Sequence, residues 1–346
     1  MNITDAVLLV ALWAAFSWLI GFVMRWQLSS FGVVDIPNAR SSHNTPVVRG
    51  GGLGIMILLI GFALASSFYP GGGWALLGLI VVGAVSLIDD IKTLTISARL
   101  PVHLLGGALT AYGVIVSTEW EGSGMIKTIL ILVVSSMFLI IFINSYNFMD
   151  GVNGLAVMQS IVSGVAGALI VLRTNSEERE LITFFLVLSA VSIGFLFHNF
   201  PKARMFLGDV GSVGIGIVIG CSILILWAEF GWRVGIVMVM VQLNFLLDTG
   251  ATFLRRLLTG QRVVSAHREH FYQRLHRSGY THKAVTGLEF FIQGVAIGVL
   301  ICIQNAPLWI YCLGIFIVFV IWGSFFVWVD SKFQTFTSEL TAPSSK

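Results

Sequence analysis

IKTILILVVSSMFLIIFINSYNFMDGVNGLAVMQSIVSGVAGALIVL, residues 126–172, is two apolar runs separated by a polar knot, Asn144–Leu155. Each run is close to the roughly 20 residues that a helix needs to cross the hydrocarbon of a bilayer. Between them Asn144, Asn147, Asp150 and Asn153 recur at every third position, and Gly151 and Gly154 let the backbone turn and come close to a ligand. A polar group at the end of a span faces a water-filled cavity or a substrate. This stretch therefore predicts both a membrane fold and one wall of a site.

The rest of the chain repeats the pattern. Of 346 residues, 56% are hydrophobic and only 11% charged, with a mean hydropathy of +0.91, outside the range of soluble globular domains. The expected fold is an all-α, polytopic integral membrane protein of about eleven transmembrane helices, near 4–24, 51–69, 74–88, 100–117, 126–143, 155–172, 181–197, 212–228, 233–254, 285–304 and 308–329. The short alternating segments of an outer-membrane barrel are not seen. Cys221, Cys302 and Cys312 lie in apolar runs without a CxxC, so they predict core thiols. A net charge of +3 is too small to imply nucleic acid. The first segment lacks a basic start and a small-residue cleavage motif, and is read as a retained helix.

Most Lys and Arg residues fall in the connections after odd-numbered spans, among them Arg25, Arg49, Arg99, Lys202 and Arg255. The even connections carry only Lys127, Arg173, Arg179 and Arg233. The positive-inside rule then puts the odd loops in the cytoplasm, the N-terminus outside and the C-terminus inside. Trp120, Trp227, Trp232, Trp309 and Trp328 stand near span ends, as interfacial anchors. Residues 1–330 are read as one transmembrane domain with five polar loops on the cytoplasmic side, 25–50, 88–100, 143–155, 198–211 and 255–284, followed by a polar tail, 331–346.

Those five loops carry the chemistry. Arg40, His43 and Arg49 in VDIPNARSSHNTPVVRGGGLG offer positive charge to a phosphate, and the following glycines let the next helix start close by. Asp89 and Asp90 in SLIDDIKTL repel each other at a membrane boundary unless a cation, a proton or Lys92 compensates. In HNFPKARMFLGDVGSVGIG, Asp209 sits between Gly208 and Gly211 just before a helix whose exposed amides suit phosphate and Mg²⁺. His267 and His270 in HREHFYQRLHRSG are three apart, neighbours on a helical face, with Arg268, Arg274 and Arg277 nearby, an arrangement suited to a diphosphate. Asp248 in FLLDTGATFLRR is a membrane-embedded acid and a functional candidate by default. Singly, these features read as a connector, a helix-end cap, an Asx turn and an N-cap. Neither a P-loop nor HExxH is present.

Six motifs in order, DIPNARSSH with RGGGL, IDD, NSYNFMDGVNGLA, FLGDVGS, the Asp-to-Arg-Arg segment and HREHFYQRL, resemble the polyprenyl-phosphate N-acetylhexosamine-1-phosphate transferases over nearly the whole chain. That family includes the initiators of O-antigen and enterobacterial common antigen synthesis and the phospho-MurNAc-pentapeptide translocase. The resemblance implies transfer of a sugar 1-phosphate from a UDP-N-acetylhexosamine to undecaprenyl phosphate with Mg²⁺ or Mn²⁺, releasing UMP, at the cytoplasmic face of a bacterial inner membrane. It makes Asp89, Asp90, Asp150, Asp209, His267 and His270 the catalytic set, with Asp209 and Asn147 as metal ligands. Asp89 and Asp90 are assigned to the polyprenyl phosphate, and His267, His270, Arg268 and Arg274 to the diphosphate. Asn144, Asp150 and Asn153 orient the nucleotide, Phe206 stacks on uracil, and Arg40, His43 and Arg49 complete the substrate site. Asn153, where many relatives have Asp, and His267 and His270 separated by Arg268 and Glu269, where the translocases have adjacent histidines, point to the O-antigen or surface-polysaccharide branch. Dimers are common in the translocase branch. The competing class is a transporter or flippase for an anionic or lipid-linked substrate, which places its polar residues near the bilayer midplane instead of at one face.

Overall fold

The computed structural model describes residues 2–37, 45–118, 120, 124–174, 178–261 and 267–341, and these are helical nearly throughout. In order come α1 (Ile3–Ser30), α2 (Leu53–Ser66), α3 (Gly72–Lys92), α4 (Ile96–Ser117), α5 (Met125–Phe148), α6 (Leu155–Leu172) and α7 (Arg179–Asn199). Then follow α8 (Gly208–Phe230), α9 (Trp232–Met240), α10 (Leu243–Leu258), α11 (Phe271–Arg277), α12 (His282–Ile303) and α13 (Leu308–Thr341). Among the described residues nine helices are long and apolar enough to cross a membrane, or ten if α9 and α10 are counted as one bent span. The protein is an all-α, polytopic membrane protein; nine of the eleven expected spans recur as single long helices, the second as a short helix and the ninth as a bent pair.

Two spans differ from expectation. The second, expected over 51–69, keeps only the 14 residues of α2, about 21 Å of helix against a hydrocarbon core of about 30 Å. The ninth, expected as one helix over 233–254, breaks at Val241 and Gln242 and bends by 71°. The break is held open by polar side chains inside the bundle. Val241 O accepts from Gln159 Nε2 at 2.8 Å and from Gln293 Nε2, and Gln242 Oε1 accepts from Tyr146 Oη at 2.7 Å. Backbone groups freed in hydrocarbon need such partners.

The centre of the bundle is α8. It packs against α2, α3, α4, α5, α6 and α9, and 94% of its most apolar 18-residue window is buried. By contrast the corresponding windows of α1 and α5 are 17% and 22% buried, as helices with a lipid-facing side should be. Because α8 is walled in, its first turn, Gly208–Gly211, is fixed relative to every neighbour. The C-terminal ends of α3, α5, α7 and α10 and the N-terminal ends of α4, α6, α8 and α12 all reach the same end of the bundle, with the described parts of the five polar loops.

One small non-helical unit sits at that end. β1 (Val34–Asp35) pairs antiparallel with β2 (Val47–Val48), and Val48 bridges in parallel to Met205. The strap continues as Phe206 N donates to Val48 O at 2.8 Å, Gly51 N to Phe206 O at 2.9 Å and Gly52 N to Leu207 O at 2.8 Å. A Cβ on Gly52 would lie 2.2 Å from the Gly211 Cα, so only glycine allows this approach. The GGG run read from the sequence thus clamps the chain before α2 onto the start of α8.

Candidate active site

Asp89 and Asp90 end α3, and both are buried. Asp90 turns its carboxylate to the exposed amides of α8, accepting from Asp209 N at 2.9 Å and Val210 N at 3.0 Å. It therefore caps α8 from another helix, where the charge also meets the positive end of the helix dipole. Asp209 is inside the first turn and does not cap, which frees its side chain. Gly208 makes the junction possible. Its φ is +75°, and a Cβ there would sit 2.6 Å from Asp90 Oδ2 and 2.7 Å from Gly50.

Two arginines knit the three carboxylates together. Arg49 places Nε 2.7 Å from Asp90 Oδ1 and Nη2 2.8 Å from Asp209 Oδ1. Arg99 places Nη1 2.5 Å from Asp89 Oδ2 and 3.1 Å from Asp209 Oδ2. Asp89 Oδ1 also accepts from Leu94 N at 2.5 Å. Three carboxylates against two guanidiniums leave one surplus negative charge in this cluster. The compensation sought from Lys92 comes instead from Arg49 and Arg99, and the Lys92 side chain is exposed.

The Asn144–Leu155 stretch passes beside the cluster. Asn147 Nδ2 donates to Ser212 Oγ at 3.3 Å, one turn into α8, and leaves Oδ1 with no hydrogen bond among the described residues. Asp150 is half-buried and its carboxyl makes no hydrogen bond among the described residues. Burial, then the charges of Asp209 and Asp90, push it well above the usual carboxylate range. Asn144 Nδ2 is bonded to Ile140 O at 2.8 Å within its own helix. Asn153 ties elements together: its Nδ2 donates to Pro201 O at 3.2 Å, its amide to His282 Nδ1 at 3.0 Å, and its carbonyl accepts from Thr286 Oγ1 at 2.9 Å. Phe206 is half-buried in the strap. Arg40 and His43 lie outside the described residues.

The second part of the site is organised by Asp248. Its Oδ1 lies 2.9 Å from His270 Nδ1 and accepts from Phe271 N at 3.0 Å, while Oδ2 accepts from Tyr272 N at 3.1 Å. One buried carboxylate therefore holds both the first turn of α11 and the ring of His270, leaving His270 Nε2 as the atom for other work. His267 and His270 do not share a helical face, because His267 precedes α11 and His270 is its N-cap with extended backbone. They meet by side-chain packing, with ring centroids 5.0 Å apart. His267 Nδ1 is buried without a partner among the described residues. Burial and the neighbouring His270 lower its pKa to about 4, so at neutral pH it offers a neutral N–H rather than a charge.

The arginines of this loop divide in function. Arg274 Nη1 pairs with Asp330 of α13 and its Nε donates to Glu269 O at 3.1 Å. Arg256 pairs with Glu269 Oε2 at 3.1 Å, and Arg255 Nη2 donates to Glu269 O at 2.7 Å. These three anchor the loop. Arg268 forms no ion pair among the described residues and is free to meet an anion. The two parts of the site touch through α11, where Tyr272 Oη donates to Phe148 O at 2.8 Å and lies where a Cβ on Gly151 would stand, 2.2 Å away.

Sequence reasoning missed Arg99, counted only as a topology charge, and the organising role of Asp248. For Arg99 a signal existed: ten residues after Asp89, in the same loop, it is the nearest arginine that can return to that carboxylate.

The donor set is of the type that suits a hard divalent cation, with several carboxylate oxygens, a carboxamide oxygen and surplus negative charge. As placed, guanidinium groups stand on those oxygens. Among the described residues no three Asp, Glu, His or Cys side chains converge closely enough to hold an ion.

Residues 74–227 match the glycosyl transferase family 4. The chain is 26% identical, over 84% of its length and 82% of the relative's, to a probable undecaprenyl-phosphate N-acetylglucosaminyl 1-phosphate transferase of Bacillus subtilis. It is 27% identical, over 77% and 74%, to a decaprenyl-phosphate N-acetylglucosaminephosphotransferase of Mycolicibacterium smegmatis. It is 26% identical, over 71% and 80%, to a phospho-N-acetylmuramoyl-pentapeptide-transferase of Heliobacterium modesticaldum. The matched segment runs from the start of α3 to the end of α8 and so carries Asp89, Asp90, Arg99, Asn147, Asp150 and Asp209.

Proposed function

We infer that this chain, a member of glycosyl transferase family 4, transfers N-acetylhexosamine 1-phosphate from a UDP-N-acetylhexosamine to undecaprenyl phosphate. UMP is released, and the lipid-linked sugar begins an O-antigen or other surface polysaccharide. The observation that carries the reading is the gathering of Asp89, Asp90, Asp209, Arg49 and Arg99 into one ion-pair network at the end of α8. An acceptor held in lipid by its tail and a nucleotide sugar from water can meet only at such a membrane boundary. The positive-inside pattern supports a cytoplasmic face and an inner membrane, and a homodimer is the proposed assembly.

In the reaction an oxygen of the acceptor phosphate attacks the sugar-linked phosphorus of the UDP-sugar in line. A new P–O bond forms, the bridging P–O bond to UMP breaks, and UMP leaves with that oxygen and its electron pair. A phosphate monoester is already substantially ionised near pH 7, so the attack needs no separate base. What the protein supplies is position and charge neutralisation. Arg49 and Arg99 exchange carboxylate oxygens for phosphate oxygens. His267 donates a neutral N–H, Arg268 adds charge to the diphosphate, and His270, fixed by Asp248, presents Nε2. Asp150, whose pKa is pushed up by burial and by the charges of Asp209 and Asp90, stands beside the cluster to orient the nucleotide end.

Mg²⁺ or Mn²⁺ would be held by Asp209 with Asn147, and would neutralise charge on the diphosphate when bound. The test is transfer of radiolabelled sugar phosphate from a panel of UDP-N-acetylhexosamines to undecaprenyl phosphate in detergent, with and without chelator. Asp209→Asn and Asp90→Asn should each abolish lipid-linked product while the protein still inserts and folds. Near-normal turnover in either variant, or activity that persists in chelator, removes the corresponding assignment.

A further inference from the structure

Next to this site, behind Asp248 and Asn153, a second polar cluster lies between α6, α10 and α12 at the broken span. A cavity of about 10 Å³ is lined by Gln159, Asn244, Thr286, Glu289 and Gln293 together with apolar side chains, on the scale of a single water molecule or small ion. Glu289, Asn244 and Gln293 are each only 1% exposed. No Lys, Arg or His pairs with Glu289 among the described residues.

The hydrogen-bond donors of the lining are all committed. Gln159 Nε2 donates to Val241 O at 2.8 Å and Gln242 Oε1 at 3.1 Å, and Gln293 Nε2 donates to Val241 O. Asn244 Nδ2 donates to Gln159 Oε1 at 3.2 Å and Glu289 Oε2 at 3.4 Å, and Thr286 Oγ1 to Asn153 O at 2.9 Å. What remains is three buried oxygens with no partner: Glu289 Oε1, Asn244 Oδ1 and Gln293 Oε1. The deficit is entirely of acceptors, and one of the three belongs to a carboxylate.

Three occupants can be weighed against that deficit. A proton on Glu289 removes the charge but satisfies only one of the two carboxamide oxygens. A water donates to two of the three oxygens and leaves the charge uncompensated inside the bundle, where an unpaired charge is costly. A monovalent cation would meet both needs at once, taking the three unpartnered oxygens of the cavity wall as ligands and the single carboxylate as its counter-charge. A divalent ion would leave a net positive charge.

We propose that this cavity binds a monovalent alkali cation, with Glu289, Asn244 and Gln293 as ligands. Asn244 lies one turn before Asp248 on α10, so the ion would brace the base of the helix that holds α11. The test does not rely on the transfer reaction. The purified full chain in detergent is melted at constant ionic strength while choline chloride is replaced by NaCl or by KCl. Wild type should gain a saturable rise in melting temperature with at least one of the two alkali ions. Glu289→Gln should lose that rise, and Gln293→Leu should shift it to higher salt. Identical melting in NaCl, KCl and choline chloride overturns the proposal in favour of water or a protonated Glu289. So does an alkali-specific rise that survives unchanged in Glu289→Gln. Should Glu289→Gln fail to accumulate, Gln293→Leu decides in the same way.

Discussion

Replacing Asp248 by Asn tests whether one carboxylate really holds α11. In the native chain it takes the amides of Phe271 and Tyr272 at 3.0 and 3.1 Å and faces His270 Nδ1 at 2.9 Å. A carboxamide of the same shape has one acceptor oxygen and one donor NH₂. Whichever way it turns, at least one of those N–H groups is left facing a donor, and a buried unsatisfied donor costs about 1–3 kcal/mol. α11 has only 7 residues, too few to persist without docking. The cost should therefore appear as local opening, raised by roughly one to two powers of ten, since about 1.4 kcal/mol is tenfold. Hydrogen exchange in detergent reads this directly as faster exchange at 271–277 with α8 unchanged. Transfer activity should fall with it, because His270 loses its orientation. Unchanged exchange at 271–277 in Asp248→Asn would refute the reasoning, and equal acceleration in α8 would show a global defect instead.

Three further outcomes are expected. Gly208→Ala should lower both melting temperature and activity, because a left-handed residue with a Cβ costs about 1–2 kcal/mol before the contact with Gly50 is counted; thermal melting checks it. Arg99→Gln should reduce lipid-linked product by more than roughly tenfold, the order expected for a lost charge-stabilising group, while the protein still elutes as a folded species. His267 has its pKa lowered to about 4, below its unfolded value of about 6.5. Its stabilising contribution is thus fully present above about pH 6.5 and is lost as pH falls toward 4. Wild type should lose melting temperature relative to His267→Gln across that window, and a constant difference between the two would contradict the assignment.

The spans were legible because hydrocarbon imposes one length on every crossing helix, and a run such as 126–143 has few other ways to satisfy its backbone. The break at Val241 and Gln242 was not, because a lone glutamine in an apolar run looks the same whether it snorkels, packs or caps a freed carbonyl. Its partners, Gln159 and Gln293, come from distant parts of the chain. At the site, Asp90 and Asp209 were visible as acids at a boundary, but that Asp90 caps the helix carrying Asp209 depends on how α3 and α8 pack. The pairing of His267 with His270 was right in company and wrong in cause, since spacing suggests a helical face and the chain uses a helix entry instead. Arg99 lies ten residues from Asp89 but reaches Asp209 110 residues away, and Asp248 holds His270 22 residues away; no local pattern encodes the last two.

One feature of α13 reaches beyond the bundle. At 34 residues it is about 51 Å long, some 20 Å more than the hydrocarbon is thick. Asp330 lies on its later part and grips Arg274 of α11. The helix is thus a long rod whose later part is bolted to the histidine-bearing loop. A tilt of that rod pulls on α11 through Asp330 and Arg274, so a label or binding protein fixed near Thr335 becomes a handle by which that loop is watched or restrained.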